Sequence, residues 1–136
     1  MNTLKLSTAL VIAALSVGVG LPAMAATNAT VVEATKTDAV PVTTLVPMIG
    51  HWQQTDLAAL GKATSVKIYD TKTLYQGADL SKIASAETAG NAELMKFRDA
   101  IRGDAGLKAW FDAHKIDINR VIAVADPSGS PEVFLY

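Results

Sequence analysis

An apolar run near the amino terminus limits how much of this chain can enter a folded domain. The run extends from Ala9 to Leu21, is interrupted only by Ser16, Gly18 and Gly20, and follows a short stretch with one cation, Lys5. A basic start followed by a short apolar segment is typical of a secretory signal peptide. We therefore expect the folded part of the chain to begin after this run.

The end of the run has the features of a signal-peptidase site. Pro22 stops the helix, and Ala23 and Ala25 are small residues of the kind that the peptidase pockets accept. The pattern predicts a signal peptide over residues 1–25, cleaved between Ala25 and Ala26. A retained membrane anchor is the alternative, but a spanning helix needs about 20 apolar residues and this run stops earlier. We expect a bacterial periplasmic or secreted protein with no membrane span after signal removal.

Composition narrows the class of protein further. The chain has no cysteine, so it has neither a disulfide framework nor a lipid-attachment cysteine. Removing 25 of the 136 residues leaves 111, which is enough for one domain with one core. The 12 basic and 13 acidic residues are interspersed, so the chain has no basic patch for nucleic acid. We expect no nucleic-acid partner.

Residues 26–47 differ in composition from the rest of the chain. They are rich in Thr, Val and Ala, contain Pro41 and Pro47, and have no aromatic residue. This composition predicts a flexible leader, followed by a single domain over residues 48–136. An alternative is that Val40 to Val46 docks as an extended strand, although Pro41 weakens that interpretation.

The middle of the chain contains signals for one strand between helices. Alternating polar and apolar residues over Ser65–Asp70 predict a half-buried strand, and the polar residues up to Thr73 predict a turn after it. A short helix carrying Leu57 is expected before the strand, ending at a left-handed Gly61. A second short helix is expected after it, capped by Asp79.

The second half predicts two amphipathic helices and a hairpin. Leu94, Phe97 and Ile101 follow one another at helical spacing within Asn91–Arg102, and Asp104 can cap the next helix, which carries Trp110. The strand-like segments 120–125 and 132–136 are separated by residues typical of turns. The whole pattern predicts an α+β fold. A small, mostly antiparallel sheet, made of one central strand and the C-terminal hairpin, would pack on two to four helices.

Both histidines are predicted to be structural. His114 lies near the end of the second helix, where an imidazolium is favourable, and His51 precedes Trp52, an aromatic that we expect to close the edge of the core. A zinc site usually needs three or four nitrogen or sulfur ligands, and two histidines without cysteine do not supply them.

The remaining polar motifs are explained by turns. Ser128 and Ser130 lie in glycine-containing surroundings but without a nucleophile-elbow motif. Asp117-x-Asn119 and the segment from Asp126 to Ser130 superficially resemble calcium loops but lack the glutamate at the twelfth position. We therefore assign no catalytic, cofactor-binding or metal-ligating residue, and expect no cofactor.

Three classes of function remain open, the third and least developed being a structural or stress-related protein whose surface has no discrete site. The leading hypothesis is a non-enzymatic binding or interaction module of the bacterial envelope, whose partner is another envelope protein or a small ligand. The alternative is a small secreted enzyme or enzyme inhibitor with a site assembled from dispersed residues, since paired carboxylates alone can catalyse hydrolysis.

Overall fold

The computed structural model describes residues 28–127 and 129–136 of the chain. The predicted signal peptide and its cleavage site at Ala25 and Ala26 lie outside these residues, as does Ser128. Within the described ranges, the chain contains both strands and helices and forms a mixed α/β fold. No helix in these ranges has the length and apolar character that crossing a bilayer requires.

Four strands form one sheet. They are β1 (Thr30–Glu33), β2 (Ser65–Asp70), β3 (Val121–Ala125) and β4 (Glu132–Leu135), and their order across the sheet is β1-β2-β4-β3. β1 and β4 both run parallel to β2, and only β3 and β4 are antiparallel.

Six α-helices and two 3₁₀ helices connect the strands in the described part of the chain. The helices are α1 (Val42–Leu45), α2 (Gln54–Lys62), α3 (Thr71–Leu74), α4 (Gly77–Ala89), α5 (Asn91–Gly103) and α6 (Ala105–Ala113). The 3₁₀ helices are Val46–Met48 and Ile118–Arg120.

The sheet is covered on both faces. Successive residues of a strand point to opposite faces, so Ile68 packs into one buried cluster and Tyr69 into the other. The first cluster contains side chains of α2, α5 and α6, among them Phe97 and Trp110. The second contains side chains of α1 and α4, among them Leu45. The domain is therefore a three-layer arrangement with a mostly parallel sheet in the middle.

The predicted antiparallel sheet is wrong, although the mixed α/β class is confirmed. Helices α3 to α6 lead from β2 to β3, which runs opposite to β2, and the β3–β4 hairpin then reverses the chain, so β4 lies parallel to β2. The hairpin of β3 and β4 is antiparallel, as predicted. Two to four helices were expected, whereas the described residues contain six α-helices, which cover both faces of the sheet.

The segment that was predicted as a flexible leader is part of the folded domain in the structure. Thr30–Glu33 is a strand paired with β2, and the side chains of Val42 and Leu45 are buried. The alternative of an extended strand from Val40 to Val46 is also corrected, because the chain forms α1 directly after Pro41. The amides at the start of a helix have no intrahelical acceptor, so a proline there, which lacks an N–H, does not disturb the helix.

Some of the elements predicted from local signals are confirmed, and others are not. The strand over Ser65–Asp70 and the helix beginning at Asn91 are confirmed, and the Asp104 side chain accepts a hydrogen bond from the Leu107 amide at 3.1 Å as the expected cap. Gly61 lies inside α2 and does not end it.

Two further local predictions are corrected near the end of β2 and the start of α4. The polar segment after Asp70 is a helical turn, because the Asp70 side chain accepts a hydrogen bond from the Lys72 amide and so caps α3. Asp79 falls in the first turn of α4, whose N-cap is Gln76.

Candidate functional site

A pocket lies where the three parallel strands end. Glu33 closes β1, Asp70 closes β2 and Leu135 closes β4, and all three residues line one cavity of about 310 Å³. In sheets with parallel strands, ligands bind outside the carboxyl ends of the strands, where the connecting loops leave a crevice. We call this cavity the carboxyl-edge pocket.

The pocket combines an apolar floor with charged walls. Its apolar side chains come from β1, β2, β4 and the loop after α6; they are Val31, Ile68, Leu135 and Ile116. Its charged or titratable side chains are Glu33, Asp70, His114, Lys115, Asp117 and Arg120. Both signs of charge therefore face one small volume.

An ion pair ties the strands together at the pocket. The Arg120 guanidinium donates from Nη2 to Asp70 Oδ1 at 2.9 Å and from Nε to the carbonyl oxygen of Tyr136 at 3.1 Å. About a third of each charged side chain is exposed, so solvent screens the pair and its stabilisation is about 1 kcal/mol or less. The pair orders the base of the pocket more than it stabilises the fold.

Lys115 occupies an unusual backbone conformation beside the pocket. Its φ is 57°, in the left-handed region that non-glycine residues rarely adopt, and it directly follows His114, the C-cap of α6. The Ile116 amide donates to the Phe111 carbonyl and the Lys115 amide donates to the Asp112 carbonyl, which is the hydrogen-bond pattern of a Schellman helix end. Glycine is the usual residue at this position, so lysine here costs stability and places a cation on the pocket wall.

A Lys115→Gly substitution is expected to raise the free energy of unfolding by about 0.5–1 kcal/mol, because it removes the strain of a left-handed L-residue. Urea unfolding followed by tryptophan fluorescence measures this change. Lys96→Gly, at an exposed position inside α5, is the matched control and should lower the stability by about 1 kcal/mol. A loss of stability in Lys115→Gly would contradict the prediction.

The two histidines have different surroundings. His114 lies at the end of α6 as predicted, with Nδ1 2.9 Å from the Trp110 carbonyl oxygen and its ring centroid 4.7 Å from the Trp110 ring. His114 is exposed and lines the pocket, although Leu107 and Trp110 of the same helix are buried. His51 is exposed, whereas the neighbouring Trp52 stacks on Phe97 at 5.1 Å, which confirms that Trp52 closes an edge of the core.

The first of the two segments that resemble calcium loops is a capped helical turn in the structure. The Asp117 side chain accepts a hydrogen bond from the Asn119 amide at 2.8 Å and caps the 3₁₀ helix Ile118–Arg120. In the hairpin turn Gly129 has a φ of 80°, a conformation that favours glycine. Among the described residues, no group of three or more histidines and carboxylates is arranged to hold a metal ion.

The groups with shifted pKa values lie outside the carboxyl-edge pocket. Burial and a 2.7 Å hydrogen bond to Glu132 raise the pKa of Tyr69, and burial raises the pKa of Tyr75. Hydrogen bonds from the Thr35 amide and hydroxyl lower the pKa of Asp38. Each shift is explained by packing or by a local turn, and none of these groups faces the pocket.

A second concavity has a different character. A groove of about 570 Å³ runs between the α1 region and α4, with Val42, Val46, Pro47 and Ala86 among its walls. Its polar residues are Thr43 of α1 and Ser81, Lys82 and Ser85 of α4. We call it the apolar groove.

Local sequence patterns do not single out Glu33, Asp70, Lys115 or Arg120 of the carboxyl-edge pocket. Glu33 and Asp70 each follow directly after apolar strand residues, which is where side chains of a parallel sheet reach the carboxyl edge. This signal is informative only when the strands are known to be parallel, whereas the local patterns predict a mostly antiparallel sheet. Comparison with known proteins adds no constraint: no family model, no curated protein and no solved structure matches this chain.

Proposed function

We propose that this chain is a non-enzymatic binding module of the bacterial envelope, and that it binds a small ligand in the carboxyl-edge pocket. The observation that supports the proposal most is the position of the pocket. Three parallel strands end there, and a helix end with a strained Lys115 forms one wall. Backbone strain persists where the surrounding structure enforces it, and it is concentrated at functional sites.

The chemistry of the pocket favours a small zwitterionic ligand such as an amino acid or a short peptide. The volume of about 310 Å³ is near the lower limit for small-molecule sites. Lys115 can face a carboxylate, Glu33 can face an ammonium group, and the floor formed by Val31 and Ile116 can contact an apolar side chain.

The hydrogen bonds of the pocket favour binding over catalysis. Asp70 and Arg120 are already paired with each other, and Nδ1 of His114 already faces a backbone carbonyl. An enzyme needs a nucleophile or base that is both oriented and free to react. The alternative of a small hydrolytic enzyme rests on Glu33 and Asp117, two carboxylates on the walls of the same pocket.

Titration of the isotope-labelled protein with free amino acids and dipeptides, followed by amide chemical shifts, tests the site. We expect shifts at Val31, Ile68 and Ile116, and weaker binding in Lys115→Gly even though that variant is more stable. Lys96→Gln, at an exposed site on α5 that does not line the pocket, is the control and should bind as the native chain does. Shifts confined to the apolar groove, or none with any compound, would contradict the pocket assignment.

The same titration separates binding from catalysis. A bound dipeptide that remains intact for hours supports a binding module. Cleavage of the dipeptide that is lost in Glu33→Gln would instead support the hydrolytic alternative.

Export is tested by the mass of the chain recovered from the periplasm of the producing cells. A product starting at Ala26 is expected, and a product that keeps residues 1–25 would contradict the predicted cleavage.

A further inference from the structure

The two edge strands of the sheet, β1 and β3, differ in how far other parts of the chain cover them. At β3, helix α5 packs along the strand, and buried Arg98 donates from Nε to the Val121 carbonyl at 3.0 Å. At β1, on the other side of the sheet, most side chains are exposed. An open edge strand is a template for pairing with another strand, and proteins usually protect such edges.

The outward backbone groups of β1 are identified by its pairing with β2. The Thr30 amide donates to the Thr64 carbonyl and the Ala34 amide donates to the Ile68 carbonyl, so these even-numbered residues face β2. Backbone groups alternate sides along a strand, so the amide and carbonyl groups of Val31 and Glu33 point away from the sheet. The Ala29 carbonyl is already bonded to the Trp110 indole at 2.8 Å.

We propose that β1 pairs antiparallel with β1 of a second copy of this chain, about a two-fold axis perpendicular to the sheet. The pairing would extend the four-stranded sheet across two molecules and satisfy the outward groups of Val31 and Glu33 in both. Two-fold interfaces between identical chains are the commonest in soluble oligomers. The inference is independent of the ligand proposed for the carboxyl-edge pocket.

The residues of β1 select one register for this pairing. A two-fold axis keeps each side chain on its own face, so odd-numbered residues lie opposite odd-numbered residues. The register with Val31 opposite its own copy needs the Ala29 carbonyl, which Trp110 already occupies. The register with Glu33 opposite its own copy brings two like charges together, which is destabilising.

The remaining symmetric register is self-complementary. It places Val31 opposite Glu33 of the partner subunit, and each such pair can exchange both of its N–H···O=C bonds. It also places Val32 opposite its own copy on the axis. Val32 is 46 % exposed in the single chain and is one of two large hydrophobic side chains exposed in the described residues; the other is Met95 on α5, at 56 %. Pairing in this register would bury Val32 and leave Met95 unchanged.

Sedimentation of the full chain over a range of concentrations tests the proposal. We expect a reversible shift from one to two chain masses. In Val32→Lys the two cations would meet on the axis, so the dissociation constant should rise about ten-fold or more. Met95→Lys makes a similar change at an exposed site outside the interface and should leave the dissociation constant unaltered.

Hydrogen exchange at the Val31 and Glu33 amides identifies what covers the edge. Protection that increases with protein concentration and is lost in Val32→Lys supports the proposed dimer. A chain that stays monomeric up to about 1 mM would overturn it, as would a dimer that Met95→Lys dissociates and Val32→Lys does not. Protection that is independent of concentration and disappears when residues 1–27 are removed would overturn it too, because the edge would then be covered by the same chain.

Discussion

Removal of residues 1–47 should abolish cooperative folding, although a domain boundary at residue 48 is what the composition predicts. The deleted part includes β1, which pairs with β2 along its whole length, and the buried side chains of Val42 and Leu45. Each buried aliphatic side chain contributes about 1.5–3 kcal/mol, and a whole domain is stable by only about 5–15 kcal/mol. Thermal unfolding followed by circular dichroism is expected to show no sigmoidal transition.

Removal of residues 1–27 is the matched control for this deletion. All the contacts described for β1 and α1 lie within residues 28–136, so we expect a cooperative transition and dispersed amide resonances. If the chain starting at residue 48 also unfolded cooperatively, and if its β3 and β4 amides kept their chemical shifts, the segment 28–47 would not be part of the folding unit.

Trp110→Ala should be the most destabilising single substitution that we propose. Trp110 is only 2 % exposed, lies edge-on against Phe111 at 5.1 Å and donates from its indole N–H to the Ala29 carbonyl. Truncation of a buried tryptophan leaves a cavity and costs about 3–5 kcal/mol. The Trp110→Ala substitution also leaves the Ala29 carbonyl without the indole N–H that donates to it. Urea unfolding should show a large decrease in the transition midpoint.

Trp110→Phe separates the hydrogen bond from the packing. Phenylalanine keeps most of the apolar contact but cannot donate to Ala29, so we expect a smaller loss of about 1–2 kcal/mol. The amide of Thr30, which donates to the Thr64 carbonyl, should exchange faster because the start of β1 is released. Trp52→Phe is the control, since phenylalanine can keep the stacking on Phe97. Equal exchange rates at Thr30 in both variants would contradict this role of Trp110.

Local patterns in the sequence determined several elements of this protein. The alternation in Ser65–Asp70 marks β2, the spacing of Leu94, Phe97 and Ile101 marks α5, and Asp104 marks the start of α6. The turn residues before Glu132 mark the hairpin. Each of these signals acts between residues that are close in sequence, which is why periodicity and capping rules detect it.

Only the tertiary structure decided the direction of the strands and the status of residues 28–47. β1 has four residues, too few for a clear alternation, and its stabilisation comes from pairing with residues more than 30 positions away. The sequence places prolines and threonines around it, which on local evidence indicate a linker. Burial against a sheet that forms elsewhere outweighs that local preference.

The carboxyl-edge pocket was likewise decided by long-range contacts. Glu33, Asp70 and Lys115 are distant in sequence, and they line one cavity only because β1 and β2 run in the same direction and α6 ends above them. The left-handed helix end at Lys115 is not detectable from the local sequence, because glycine is the residue usually found at such a position. Short-range patterns thus determined α5, α6, β2 and the hairpin, whereas the pairing of distant strands created the parallel sheet and the pocket at its edge.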